Sequence, residues 1–560
     1  MKRNQFIYGG MTKLILLCFI LFGFFYSSDL KAQEYYWVGF SDKNGTQYSL
    51  SSPVDYLSER AIQRRIKQNI AIDSLDLPLN KNYIDEVIKI GATFIHASKW
   101  LNGITVKAET DSFTIKVSKL PFVKEFQLTK GLAKKSAIQK FAELEGSENF
   151  PIDNSIYGPS VYQTSILNGQ FLHNQNYRGQ GMQIAVLDGG FFSADRYPAM
   201  DSLWANNQIL GIKDFVDPTA EFYKTHYHGM SVLSCMGGNV PGKLIGTATK
   251  ASYWLIRSED TGSEFLIEED NWVAAAEFAD SAGVDIINSS LGYYNFDNSE
   301  MNHPFEEMDG KTTRVTRGAN IAASKGILVF SSAGNEGNNI GENAWKHIVA
   351  PSDGEKVIGV GAVNKDSIPS GFTSLGPAFG GKTKPNVTAL GWNTYLQKSD
   401  GTFGYLNGTS FSSPVMAGMA ACLWQSQPHA SAEQVKTAIE MSGHLYENPN
   451  DKMGFGIPDM YRAWQLLQNL STSAPEISKQ WTAFPNPVGD VLILQKNSSQ
   501  FQDTVRIEIF TMDGKLVQQW IKSDANRIEL RDLNSLPKGI LLLKISSSKS
   551  SETIKLSKIQ

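Results

Sequence analysis

The chain has 560 residues, 41% of them hydrophobic and 19% charged, with a formal net charge of −4. That length exceeds one ordinary domain and predicts two to four. The composition is globular rather than disordered, and the near-neutral balance carries no electrostatic footprint for nucleic acid.

The N-terminus has Lys2, Arg3 and Lys13, then an apolar run over residues 14–25, then a polar passage reaching Ala32 and Gln33. A basic region, a short apolar region and a small residue at a suitable cleavage point predict a secretory signal peptide over residues 1–32. The apolar run is short for a membrane span, and no stop-transfer pattern follows it. Leu17, just before Cys18, is too large for a usual lipoprotein cleavage box, so no lipid anchor is expected. Beyond the signal only Cys235 and Cys422 remain, too few to staple an exported protein. They read as two buried thiols, with a single Cys235–Cys422 bridge as the alternative.

Residues 33–150 predict a small α+β unit, with strand-like segments at 35–40, 92–96, 104–108 and 122–128 and helical ones at 57–68 and 83–90. Its polar, Lys/Glu-rich end, residues 131–149, is expected to be an exposed, protease-sensitive linker. Residues 151–469 alternate between β-branched runs (183–188, 284–290, 326–331, 356–361) and helical stretches such as 271–282 and 321–324. Continuous apolar strands between helices predict an α/β fold with a buried parallel sheet, whose active residues sit at the carboxyl ends of strands. Residues 470–480 are a polar linker. Residues 481–560 carry short strands at 490–494, 505–510, 515–517 and 539–545, with an Asp513-Gly514 hairpin signal, and predict a small β-sandwich. No solenoid period is present.

Four polar residues of the middle segment fall at strand ends or helix starts. Asp188 ends Ile-Ala-Val-Leu-Asp; His228 opens an apolar helix; Asn335 lies in a loop after a buried strand; Ser410 follows the tight turn at Gly408. Pro414 is expected in the first turn of the helix that Ser410 opens, where amides have no intrahelical partner. Small residues (Ala417, Gly418, Ala420, Ala421) then allow close packing. The positive helix N-terminus favours negative charge developing near Ser410. Each residue alone is more often a cap, a turn former or a structural group. Together they supply the nucleophile, base, orienting carboxylate and amide donor of acyl transfer.

The order Asp188, His228, Asn335, Ser410 resembles that of the subtilisin-like serine proteases. Gly408-Thr-Ser410-Phe-Ser-Ser-Pro414 looks like the family's nucleophile motif, His228-Gly229 its histidine motif and Val186-Leu-Asp188-Gly189 its aspartate motif. Ser289-Ser-Leu-Gly292, Phe372-Thr-Ser-Leu-Gly-Pro377, Lys384-Pro-Asn-Val387 and Gly454-Phe-Gly456 resemble further landmarks. Met230-Ser231, Asn386 and Leu390 depart from the usual pattern, which bears on fine substrate positioning. Of the two nearby imidazoles His228 is chosen, because glycine and the apolar helix follow it; His226 is expected at the surface or behind the site.

The resemblance implies a secreted serine endopeptidase working through an acyl-enzyme. Asp188, His228 and Ser410 would be catalytic and Asn335 the oxyanion donor. Ser290, Leu291, Gly292, Ala333 and Gly334 would bind substrate, in a cleft expected to be roomy and tolerant of apolar side chains. It further implies that residues 33–150 are a propeptide. Phe484-Pro-Asn-Pro-Val488, Leu536-Pro-Lys-Gly539-Ile and Thr553-Ile-Lys555-Leu-Ser-Lys558 resemble the C-terminal sorting domain of the type IX secretion system of Bacteroidota. The expected partners are peptide or protein substrates, the chain's own propeptide and the type IX machinery; nucleic acid is not one, and the protein is expected to be a monomer, secreted or held at the cell surface. No cofactor is required. Structural calcium is common in such proteases, and Asp297 and Glu306 are candidates, though no loop has a diagnostic ligand spacing. The alternatives are a catalytically weak binding protein on the same fold and a metal hydrolase built on His226, His228 and Asp188.

Overall fold

The computed structural model describes residues 33–131, 140–141, 144–146, 155–341, 344–472, 481–496, 504–512, 514–523, 525–547 and 551–558. The expected signal peptide, most of the second linker and Asp513 lie outside the described residues. Two compact units divide between Gln468 and Asn469.

The first unit is built on a seven-stranded parallel sheet. Its strand Gln183–Asp188 lies between Ser252–Arg257 and the central strand Ile286–Ser289, and Leu328–Ser332 follows on the latter side. Ile184, Ala185, Val186 and Leu187 are fully buried, as a strand covered on both faces requires. The strand ends Asp188 and Ser289 therefore open at one edge of the sheet. Two helices begin at that edge, His228–Gly237 and Thr409–Ser426. The second runs through the core against four of the strands, and Ala417, Ala420 and Ala421 are wholly buried along it. Both cysteines are buried and free, so the thiol reading holds and the bridge does not form.

Residues of the N-terminal segment form a four-stranded antiparallel sheet, ordered Thr93–Ser98, Gly103–Glu109, Gln33–Phe40, Val123–Lys130. One face holds a core of Tyr36, Val38, Ile104, Val106 and Phe113. The segment docks on the helix Ile267–Ala282, which starts four residues earlier than the sequence suggests. Glu268, Glu269 and Asp270 lie in its first turn, where the helix dipole favours carboxylates.

This docking surface is charged and buried. Glu277 accepts hydrogen bonds from Ser98 Oγ (2.5 Å), Lys99 N (2.8 Å) and Trp100 N (3.0 Å). Asp280 pairs with Arg64 and, at 2.8 Å, with Arg65. Arg65 also meets Asp76 at 2.6 Å, and Asp76 meets Lys325 at 2.9 Å. His96 Nε2 lies 2.8 Å from Asn271 Oδ1. Trp100 extends into the same apolar cluster as Trp272 and Val273.

Of the expected exposed linker only residues 131, 140–141 and 144–146 are among the described residues, and two stretches of it depart from that expectation. Lys140 has only 6% of its side chain exposed, and Leu144–Glu145 forms a strand paired antiparallel with Leu406 and Asn407. A run of charge in sequence reads as solvated, and only the folded cleft reveals buried partners for it.

The second unit has two antiparallel sheets. Trp481–Phe484, Leu492–Lys496 and Arg527–Leu530 form one; Leu516–Ser523, Thr504–Thr511, Gly539–Ser546 and Ser551–Lys558 form the other. Residues 505, 507 and 509 and residues 541, 543 and 545 are buried in one shared core, the period of two that a sandwich requires. Asn486 ties the opening motif to the last strand: its Nδ2 donates to Lys555 O (2.9 Å), and its Oδ1 accepts from Ser557 N (2.7 Å).

Candidate active site

Asp188 is wholly buried at the carboxyl end of the strand Gln183–Asp188. Its Oδ1 accepts from Gly189 N (2.7 Å), which fixes the carboxylate plane. His228 Nδ1 lies 2.8 Å from Asp188 Oδ1 and 3.0 Å from Oδ2. A donor on Nδ1 leaves Nε2 as the basic nitrogen, so the carboxylate selects the tautomer. His226 stands behind it, as the choice between the two imidazoles requires: its Nδ1 accepts from His228 N at 3.2 Å. Burial, with the neighbouring His228, pushes His226 down to about 4, so it stays neutral.

Ser410 is the second residue of its helix. Gly408, at φ +152°, makes the turn into it, a conformation that L side chains rarely adopt. Pro414 sits in the second turn, not the first as expected, and therefore removes the amide that would bond Ser410 O. Ser290 Oγ supplies the missing donor at 2.8 Å. The proline thus frees a carbonyl that pins the serine helix to the strand end carrying Ser290. Ser410 Oγ itself donates to Ser290 O over 3.4 Å, a weak hold.

Asn335 is anchored by one end of its amide. Its Oδ1 accepts from Thr409 N (2.9 Å) and Thr409 Oγ1 (3.0 Å). That leaves Nδ2, a pure donor, for the cleft that Asn335 and Ser410 both line. Ser290, Leu291, Gly292 and Gly334 line the same cleft. Ala333 does not: it is wholly buried and packs with Ile348 and Ala378 behind it.

The cleft expected to tolerate apolar side chains also carries carboxylates. Glu259, Glu264 and Glu336 also line it, and Glu268 closes the set from the helix start. Glu259, Glu264 and Glu268 are buried together, with carboxylate oxygens all within 4.8 Å of one another. Lys140 Nζ sits among them, 2.6 Å from Glu259, 3.0 Å from Glu264 and 2.5 Å from Glu268. Burial, and then its fellow carboxylates, hold Glu268 well above the carboxylate range. Phe141, the next residue, stacks on the imidazoles, with ring centroids 4.2 Å from His228 and 4.9 Å from His226. Gly189 gives it room, since a Cβ there would lie 2.9 Å from the Phe141 ring. These acidic residues escaped the sequence reading; the signal was present as an acidic run after the strand Ser252–Arg257. Of the two calcium candidates, Asp297 accepts from Glu264 N (2.9 Å), and Glu306 is exposed.

Comparison with known proteins assigns families to three stretches of the chain. Residues 35–143 match the peptidase S8 propeptide domain of Bacteroidota, residues 179–456 the subtilase family and residues 482–559 the secretion system C-terminal sorting domain. Serine protease AprX of Bacillus subtilis is 28% identical over 54% of this chain and 68% of its own length. Subtilisin NAT of Bacillus subtilis subsp. natto is 29% identical over 52% of this chain and 68% of its own. Subtilisin DY of Bacillus licheniformis is 27% identical over 50% of this chain and 89% of its own. The sorting domain marks the chain for export by the type IX system, to the cell surface or beyond it. The chain belongs to the subtilases, as a serine endopeptidase carrying its own propeptide domain and a C-terminal sorting domain.

Proposed function

We propose that this protease cleaves peptide bonds through an acyl-enzyme on Ser410, and that its propeptide occupies the cleft until it is cut. Ser410 Oγ attacks the scissile carbonyl carbon, and His228 Nε2 takes its proton. The same proton then goes to the leaving amine. Asp188 holds the tautomer and stabilises the imidazolium. Asn335 Nδ2 and the Ser410 N–H receive the oxyanion, helped by the N-terminus of the serine helix. Water then hydrolyses the ester by the same relay.

The observation that carries this reading is the fixed pair of orientations. Asp188 sets the imidazole, and Thr409 sets the Asn335 amide, beside Ser410 at its helix mouth. A fluorophosphonate probe tests it. Wild-type protein should be labelled on Ser410, and Ser410→Ala should be folded, unlabelled and inactive. Peptide cleavage surviving in that variant sinks the assignment.

The flanks of the cleft support propeptide inhibition. Phe141 covers the imidazole, and Leu144–Glu145 pairs with the strand leading into Ser410. The matched propeptide domain ends at residue 143. The maturation cut accordingly falls between Phe141 and Leu144. Mass spectrometry of the mature N-terminus checks this; a terminus well outside that window refutes it.

A further inference from the structure

Lys140 is an unusual residue to bury. An ammonium taken out of water costs several kcal/mol unless it is fully compensated. Here three carboxylates surround it, with side-chain exposures of 4%, 7% and 0%, and Asp260 O accepts a fourth contact at 2.9 Å. The carboxylates are held in turn. Tyr293 OH donates to Glu259 Oε2 (2.7 Å), and Asp260 N donates to Glu268 Oε1 (3.0 Å). Glu264 Oε1 is buried with no hydrogen-bond partner among the described residues. All three carboxylates come from the catalytic domain, and their cation comes from the segment that is discarded. Maturation therefore leaves a preformed, cation-shaped acidic recess beside Ser410.

We infer that Glu259, Glu264 and Glu268 form a specificity subsite for a lysine or arginine side chain of the substrate, placed one residue before the side chain that packs on His228. The inference rests on the peptidase reading above, with Lys140-Phe141 as the built-in example of the bound sequence. Desolvated, multiply bonded charge pairs discriminate strongly, because the wrong side chain leaves the carboxylates unpaired. Three carboxylates outnumber the one cation, and the balance is held as protons rather than as bare charge. Burial, against the pull of Lys140, holds Glu264 up at about 8. An acidic substrate side chain is excluded for the same reason.

The test uses the mature protease purified after its own processing. Internally quenched peptides span residues 137–147, with the lysine at position 140 kept or replaced by arginine, norleucine or glutamate. The lysine and arginine peptides should exceed the norleucine peptide in kcat/KM by about tenfold or more, with the glutamate peptide lowest. Glu264→Gln and Glu268→Gln should each shrink the lysine-to-norleucine ratio towards one, with Ser410 still labelled by the fluorophosphonate probe as proof of a folded site. Equal cleavage of lysine and norleucine peptides by labelled wild type overturns the subsite and leaves the peptidase reading standing. Loss of both cleavage and labelling overturns the peptidase reading itself. A third outcome also overturns the subsite: no lysine preference, together with a calcium-dependent rise in thermal stability that Glu268→Gln abolishes. The trio would then be a metal site.

Discussion

Asp188 and Glu277 are both buried carboxylates that orient hydrogen-bond donors, but they draw those donors from different places. Asp188 finds His228 and Gly189 inside the catalytic domain. Glu277 binds Ser98, Lys99 and Trp100, all from the propeptide domain. Asp280 is the same case, paired with Arg64 and Arg65. On the proposed function, loss of the propeptide would leave the Asp188–His228 pair intact. It would strip Glu277, Asp280 and the acidic recess of their partners at once. Under that proposal a catalytic centre has to persist through maturation, whereas an inhibitor's interface has only to be strong while it lasts.

The sharpest test of the catalytic half is Ser410→Ala, for which turnover should fall by on the order of 10⁶, measured with a peptide substrate. Asn335→Ala should cost about 10² to 10³ in kcat with little change in KM, because the amide acts on the oxyanion rather than on the ground state. The opposing half is tested with Glu277→Ala. That change leaves the Ser98, Lys99 and Trp100 donors unpaired in a buried interface, and should weaken retention of the cut propeptide by about 2–4 kcal/mol. It would be read as faster appearance of activity after processing. Unchanged retention would mean that the apolar contact of Trp100 carries the interface instead.

The smallest expected effect is one of pH. Burial, partly offset by its bond to Asn271, pushes His96 down to about 4, so the docked state holds this histidine neutral. A depressed pKa contributes stability that is present above the ordinary histidine value and is lost as pH falls. Docking should therefore weaken between about pH 6.5 and 4, by of order 1–3 kcal/mol. Asp270, pushed up to about 6 by burial, works in the opposite direction over part of that window. The measurement is thus the difference between wild type and His96→Gln in propeptide release at pH 7 and pH 5. An identical acid response in the two proteins would remove His96 from the interface balance.

Legibility in the sequence followed the range of the contacts. Asp188, His228, Asn335 and Ser410 each sit in a short motif whose local geometry, a strand end or a helix start, is set by a few neighbours. The parallel sheet was equally legible, because apolar runs such as residues 184–187 fit only a strand covered on both faces. Helix starts were less so. Acidic residues 268–270 fall outside the helical stretch read at 271–282, yet they open that helix, where its dipole favours them.

The sequence by itself determined the resemblance to subtilases and nominated the residues proposed to react, because those depend on residue identity and order. Only the tertiary structure decided what Pro414 does: the carbonyl it frees is met by Ser290, 120 residues away. Only the tertiary structure decided that Ala333 stands behind the cleft and that Lys140 lies within it. Lys140 meets Glu259 and Glu268 across 119 and 128 residues. Charge in a linear sequence carries no sign of its burial, since water satisfies any charge until the fold takes the water away.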